Sequence, residues 1–174
     1  MVTGNTHTAI VTYIQEVLQS VSGINDNGKI LTRPRDITEL GKVQEIFAAE
    51  GTTGELLFNA WIIERDGIDS VRQGAPKGQE FRFSQYLVRA YHTMNDELNT
   101  ELTFQDLLTE VMDAFVPAIQ VSTEGGTATN IEALERARVR VITVDDFAGH
   151  VCHYAELELL IRERMKNFTY YQPA

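Results

Sequence analysis

The sequence has few of the residues that mark disulfide-stapled, zinc-binding or membrane proteins. Its 174 residues include one cysteine, Cys152, which excludes a disulfide within the chain and any multi-cysteine zinc motif. No apolar run approaches the roughly 18 residues that cross a bilayer, and the N-terminal residues do not have the pattern of a secretory signal. We therefore expect a protein that stays in the cytoplasm where it is made and has no membrane partner.

Basic residues are also scarce. The chain carries 15 Lys and Arg against 25 Asp and Glu, a formal net charge of −10. A DNA duplex carries about one negative charge per 1.7 Å of axis, so this surface should repel phosphates rather than bind them. The densest basic stretches are Arg136, Arg138, Arg140 and Arg162, Arg164, Lys166. Acidic and apolar residues interrupt both, which is typical of ordinary solvated strand faces.

Length and composition indicate a single globular domain spanning residues 1–174. The chain is long enough to bury a core without metals or disulfides, and 43% of its residues are hydrophobic and 23% charged.

Two segments have helical periodicity. Apolar residues in the first recur with helical spacing at Ile10, Tyr13, Ile14, Val17, Leu18 and Val21, and Gly23 is suited to a left-handed helix end. The second places Phe104, Leu107, Leu108, Val111, Met112 and Phe115 at the same spacing. There we predict Thr103 as the N-cap and Pro117 as the stop.

Two further segments predict a long hairpin. Residues 54–67 form an apolar run of strand length, and residues 80–92 alternate with a phase shift that indicates a bulge near Gln85. The connection, residues 66–79, is too long for a tight turn and is expected to project as an arm loop. Residues 25–38 are rich in turn residues and predict an irregular connection.

The C-terminal part predicts an insertion, two strands and an extension. Residues 119–135 are treated as the insertion, and residues 136–144 alternate as a strand. Residues 150–165 have helix-favouring composition but strand periodicity, and period is the stronger signal. Residues 164–174 form an extension that ends in aromatic side chains. The expected fold is α+β: a mixed, mainly antiparallel four-stranded sheet with two amphipathic helices on one face and a long hairpin arm.

No segment specifies an active site. In a strand, His150 and His153 point to opposite faces and cannot chelate one ion as a pair, and the same alternation separates Cys152 from His153. Asp145 and Asp146 with either histidine remain the basis of a less favoured hypothesis, a metal-dependent hydrolase. We predict no catalytic, cofactor-binding or metal-binding residues and no enzymatic activity.

The sequence resembles the tail terminator (tail completion) proteins of long-tailed bacteriophages. In that family a strand leads through a polar loop into a "-s-ktFqdli-ai--aF" helix, and the last strand often reads "-vHYAel-l-v-e". The matching positions here are Tyr91, Thr103, Phe104, Gln105, Asp106, Phe115, His153, Tyr154, Ala155, Glu156 and Leu157. The resemblance covers most of the chain, although residues 25–50 and 119–135 have no clear counterpart.

The resemblance implies a structural virion protein located at the tail or neck and assembled in the host cytoplasm. Such a subunit forms a homo-oligomeric ring, commonly hexameric, that caps the tail tube, stops its polymerisation and joins it to the head connector or neck protein. DNA would pass through the acidic lumen without specific binding. A neck or head-completion connector protein is the alternative within the same class.

Two segments are candidates for contacts with a neighbouring subunit or with the tube. The arm contributes Asp66, Ile68, Val71, Arg72 and Lys77, and the C-terminal extension contributes Phe168, Tyr170 and Tyr171. Exposed aromatics commonly anchor protein interfaces, but packing of the extension on its own domain is an equal expectation.

Overall fold

The computed structural model describes residues 6–26, 28–32, 48–50, 56–73, 79–95, 98–115, 131–147 and 149–164. Helices span α1 (Thr6–Ser20), α2 (Ser22–Asn25) and α3 (Thr100–Phe115). Strands span β1 (Lys29–Leu31), β2 (Ala48–Glu50), β3 (Leu56–Gln73), β4 (Gln79–Thr93), β5 (Ile131–Phe147) and β6 (His150–Arg164). None of the described helices is long and apolar enough to cross a membrane.

The strands form a mostly antiparallel sheet in the order β1-β3-β4-β6-β5, and β2 also pairs with β3. The four long strands are antiparallel to their neighbours, whereas the short β1 runs parallel to β3. The predicted α+β class with a mainly antiparallel sheet is confirmed. The prediction of four strands and two helices is wrong in detail, because it omitted β1, β2 and α2.

The two faces of the sheet differ in what covers them. The helical face packs against α1 and α3 through strand residues that include Trp61, Tyr86, Val88, Leu157 and Leu159, all at most 1% exposed. The opposite face, called the open face because none of the described helices packs on it, carries a smaller buried apolar cluster formed by Phe58, Ala60, Ile62, Tyr91 and Cys152. This second cluster explains why β3 reads as a continuous apolar run: its residues are buried on both faces.

The helices follow their predicted stripes. Ile10, Ile14 and Leu18 of α1 are at most 1% exposed, as are Phe104, Val111 and Phe115 of α3, and these side chains form the main core with the sheet. Tyr13 packs edge-on against Phe115, with ring centroids 6.4 Å apart, and thereby joins the two helices.

Two predicted helix ends are wrong. Helix α3 begins at Thr100 rather than after Thr103, because Asn99 adopts a positive φ of 50° and the Thr100 hydroxyl accepts the Asn95 N–H at 2.7 Å. Gly23 does not end α1 in a left-handed conformation; it lies in α2. A Cβ at this glycine would stand 3.0 Å from Leu107 Cδ1, so Gly23 allows close approach of α2 to α3.

The hairpin also differs from its prediction. Pairing of β3 with β4 continues to Gln73 and Gln79, so most of the predicted arm loop, residues 66–79, is paired strand. The bulge predicted near Gln85 lies on the opposite strand, at Asp66, between the Arg65–Tyr86 and Gly67–Gln85 pairs. Strand β4 keeps its alternation, so Phe81 and Tyr86 belong to opposite faces.

Two predicted loop boundaries change as well. Residues 25–38 were expected to be irregular, but Lys29, Ile30 and Leu31 pair with β3. The insertion predicted for residues 119–135 overlaps β5, which already begins at Ile131. Residues 116–130 and 165–174, with the rest of the insertion and nearly all of the extension, lie outside the described residues.

Candidate assembly surfaces

The C-terminal segment is a strand, β6, as its periodicity predicts, and it lies inside the sheet between β4 and β5. Ala155, Leu157, Leu159 and Ile161 are buried under the helices. Glu156 and Glu158 point to the open face, where arginines from the neighbouring strands meet them. The carboxylate side of β6 is therefore neutralised within the sheet.

An ion-pair row crosses three strands on the open face. Arg89 Nη1 of β4 lies 2.9 Å from Glu64 Oε2 of β3, and Arg89 Nε lies 3.8 Å from Glu156 Oε1 of β6. The Tyr154 hydroxyl donates to Glu156 Oε1 at 2.5 Å. Burial, followed by the Glu156 carboxylate, raises the pKa of Tyr154, which keeps the phenol protonated as a donor. The row fixes β3, β4 and β6 relative to each other.

Glu158 is the centre of a second charged cluster. Its side chain is only 2% exposed, and it meets three guanidinium groups from β5. Arg138 Nη2 lies 2.7 Å from Oε2, Arg140 Nε lies 3.6 Å from the same oxygen, and Arg136 donates to Oε1. Burial alone would raise the pKa of Glu158, but hydrogen bonds and charge from Arg138 and Arg136 outweigh it and lower the pKa. Glu158 therefore stays ionised.

This cluster leaves residues 136–144 of β5 with excess positive charge. Three arginines share one carboxylate, and their side chains remain 45%, 52% and 39% exposed for Arg136, Arg138 and Arg140. The expectation that these arginines are ordinary solvated residues is incomplete, because each also reaches a buried acid. An alternating R-x-R-x-R strand facing a glutamate between two leucines is the sequence signal that could have revealed the contact.

The arm residues lie on the distal part of the hairpin. Asp66 and Asp69 are exposed, and the Ile68 side chain is 48% exposed. Val71 and Arg72 are paired in β3 with Phe81 and Glu80. The other predicted contacts, Lys77, Phe168, Tyr170 and Tyr171, lie outside the described residues. The described part of the candidate surface is therefore an exposed strand edge.

A further group of exposed apolar residues lies near the turn from β5 to β6, and sequence reasoning did not single it out. Ile142, Val144 and Val151 are 55%, 49% and 57% exposed, and Leu98 and Leu102 next to the start of α3 are each 63% exposed. Val144 stands opposite His153, whose Nε2 lies 3.1 Å from the Thr100 hydroxyl at that helix start. Apolar residues at these positions are typical of contact surfaces.

The residues considered for chemistry have structural environments. His150 lies near Phe58 on the open face, with ring centroids 5.1 Å apart, whereas His153 stacks on Phe104 at 5.8 Å on the helical face. Asp146 Oδ1 accepts the Gly149 N–H at 2.7 Å and shapes the turn that joins β5 to β6. Within the described ranges, no group of three or more His, Cys, Asp or Glu side chains is placed to hold a metal ion.

The Cys152 thiol and the Ser84 hydroxyl, two potential nucleophiles, are both buried. Burial raises the pKa of the Cys152 thiol to about 11, and the Asp146 and Asp145 charges act in the same direction. Ser84 is 1% exposed and donates to Glu163 Oε1 at 2.6 Å, while Glu163 is 3% exposed. This buried serine–glutamate pair was not predicted, and its burial denies a substrate access to the hydroxyl.

The motif residues of the family resemblance converge in space. Phe104 stacks between His92, at 5.7 Å, and His153, at 5.8 Å. Tyr91 and Tyr154 pair across β4 and β6, with ring centroids 5.0 Å apart. The Phe104–His153 contact lies on the helical face and the Tyr91–Tyr154 contact on the open face, so the three motifs meet at the same end of the sheet but on opposite sides of it.

No protein-family model matches the sequence, and no curated protein matches it either.

Proposed function

We propose that the protein is a tail terminator subunit: a structural protein whose ring caps the tail tube, stops its polymerisation and joins it to the head connector. The observation that carries the proposal is that three motifs meet at one end of the sheet. Phe104 stacks on His153 on the helical face, and Tyr91 contacts Tyr154 on the open face. These residues come from three separate motifs of the resemblance, and they contact each other in pairs. A chance likeness of three short motifs would not require them to meet.

The architecture agrees with an assembly role. The long β3–β4 hairpin has exposed charged residues and an exposed apolar residue. Further exposed apolar side chains lie near the turn from β5 to β6. Ring closure needs two different surfaces on each subunit, because head-to-tail contacts join unlike patches. The hairpin and the β5 edge supply two such surfaces.

The charge of the chain suits a DNA conduit. A net charge of −10 on each copy of a ring would repel duplex phosphates, so DNA would slide through the lumen without being held. Helix α3 contributes to this acidity, since its sequence contains Glu101, Asp106, Glu110 and Asp113 but no Lys or Arg. DNA-binding measurements at low salt should therefore detect no retention of a linear duplex by the assembled protein.

A tube-assembly experiment tests the proposal. The full chain is produced together with the tail tube protein of the same phage, and tube lengths are compared with and without it by electron microscopy. We expect tubes that stop growing and carry the protein at one end only. Unlimited tubes without bound protein would contradict the proposal. Binding to the isolated head connector in preference to the tube would instead identify a neck protein.

A further inference from the structure

The sheet ends in two open edges within the described part of the chain. Strand β5 pairs only with β6, and β3 beyond Ile62 pairs only with β4. An edge strand presents unpaired backbone N–H and C=O groups, which are a template for pairing with another strand. Long open edges invite association unless something covers or blunts them.

The exposed residues on these edges have complementary character. On β5, Arg136, Arg138 and Arg140 are about half exposed and exceed in charge the one carboxylate they share. On β3, Asp66 and Asp69 are exposed and flank Ile68, which is 48% exposed. One edge therefore has a basic segment at residues 136–140, and the other has an acidic segment at residues 64–69, in which Glu64, Asp66 and Asp69 outnumber Arg65.

Register places the two charged segments at the same height. Glu64 of β3 stands in line with Leu87, Glu158 and Arg138 across the four strands. Gly67 stands in line with Gln85, Leu160 and Arg136 in the same way. A neighbouring copy set beside the sheet at equal height thus brings Arg136 and Arg138 of β5 against residues 64–67 of β3. Residues 139–144 would instead face residues 59–63, part of which already pairs with β1.

Strand direction is also compatible with propagation. The order β3-β4-β6-β5 alternates in direction at every step, so β5 runs opposite to β3. A second copy related by rotation about an axis along the strands presents its β3 antiparallel to the first copy's β5. Repetition of this contact extends an antiparallel sheet from subunit to subunit, and closes if the rotation closes.

We infer that residues 133–138 of one copy pair edge to edge with residues 64–69 of the next copy, and that the occupant of each open edge is a second copy of this chain. The inference rests on the proposed ring and names its interface. Attraction between the charged segments selects the register, since a different register loses the match and sets acidic surfaces against each other.

Thiol cross-linking tests the contact. Asp69→Cys and Glu135→Cys place one exposed cysteine near each edge, and the buried native Cys152 does not take part. Three interstrand spacings separate these edges within one copy, roughly 14 Å. A bifunctional thiol reagent shorter than that span can therefore join only different copies. Each single variant, and the pair Asp69→Cys with Glu110→Cys on the outer face of α3, serve as controls.

The expected result is a ladder of covalent oligomers on a denaturing gel for the edge pair and dimers at most for the controls. Asp66→Lys with Asp69→Lys should reduce the association constant at least tenfold, and the loss should shrink with added salt. Both residues are exposed, so native circular dichroism should be unchanged.

The failures are distinguishable. An oligomer that forms without an edge-pair ladder overturns the inferred interface and leaves the ring intact. A monomer that still stops tube growth overturns the inferred interface, whereas the capping role stands. A monomer that neither cross-links nor affects tubes overturns both.

Discussion

Replacing Glu158 with glutamine removes the one negative charge that three arginines share. The glutamine retains the size of the side chain, so packing on the open face is preserved, and Leu157 and Leu159 on the helical face are not disturbed. Because the site is 2% exposed, the amide cannot obtain full compensation from water. The three guanidinium groups lose the negative charge and one of its two acceptor oxygens, which a donating NH2 group replaces. The variant therefore isolates the charge interaction from the shape of the core.

The expected loss follows from burial and exposure together. Removing one partner of a fully buried ion pair costs about 3–5 kcal/mol. Here the arginines are 39% to 52% exposed and can turn toward solvent once the carboxylate is gone, so we expect a smaller loss of about 2–3 kcal/mol. In a chain of this size that corresponds to a fall in melting temperature of roughly 5–10 °C.

Urea unfolding followed by circular dichroism measures the difference, with Glu135→Gln as the matched control. Glu135 and Arg162 form an exposed pair at 2.9 Å, with side chains 34% and 36% exposed, so its loss should cost about 0–1 kcal/mol. If Glu158→Gln is as stable as this control, the arginine cluster is not the stabilising feature we describe.

The pH dependence provides a second criterion for the same variant. The pKa of Glu158 is lower in the folded protein than its ordinary 4.5, so its contribution is present above that value and is lost as pH falls through the folded pKa. The stability gap between the natural chain and Glu158→Gln should be full at neutral pH and narrow in acid. A gap that widens in acid would refute the reasoning.

Further substitutions test the core, the turns and the titratable groups. Leu157→Ala should cost about 2–5 kcal/mol in urea unfolding, because the side chain is 0% exposed, whereas Ile142→Ala, at 55%, should be nearly neutral. Gly28→Ala should cost about 1–3 kcal/mol, since its Cβ would lie 2.5 Å from the Ile24 carbonyl oxygen; Gly67→Ala, with no atom within 4 Å, is the control. Burial lowers the pKa of His92 from 6.5, the His153 charge acts in the same direction, and a hydrogen bond to the Thr93 backbone opposes the shift. The free energy of unfolding should therefore fall as pH drops below 6.5. His92→Asn should make thermal unfolding less dependent on pH in this range. Cys152 should resist thiol reagents at mildly alkaline pH until the chain unfolds, because burial raises its pKa to about 11; rapid labelling of the native protein would show that its site opens.

The sequence predicted the elements whose periodicity is carried by buried side chains. Ile10, Ile14 and Leu18 identified α1, and the alternation of Ala155, Leu157 and Leu159 identified β6 despite its helix-favouring composition. Both patterns can be read from the sequence because each element buries one face in the core. The helix ends were predicted less accurately, since the start of α3 depends on the positive φ of Asn99 and the Thr100 hydroxyl contact.

The short strands escaped prediction for a different reason. Strand β1 is only Lys29–Leu31, and it is held by pairing with Ala60, Trp61 and Ile62 far along the chain. A stretch of that length has no period of its own, so tertiary pairing decides its structure. The position of the bulge also depends on tertiary pairing. The apolar residues of β4 change from one face to the other along the sequence, but the extra residue lies on β3, at Asp66.

The sequence shows which residues of the open face are charged, but it does not show which of them contact each other. Arg136, Arg138 and Arg140 stand out in the sequence, but their common target depends on the register between β5 and β6, including the irregularities at three places along the pair. Because of that register, the three partly exposed arginines contact and bury the Glu158 carboxylate.

Native mass spectrometry of the purified full chain tests the central claim most directly. The account predicts one closed species of about six copies of the 19.6 kDa chain at micromolar concentration. A monomer throughout that range, or an open series of oligomers without a preferred size, would contradict a ring that caps a tube.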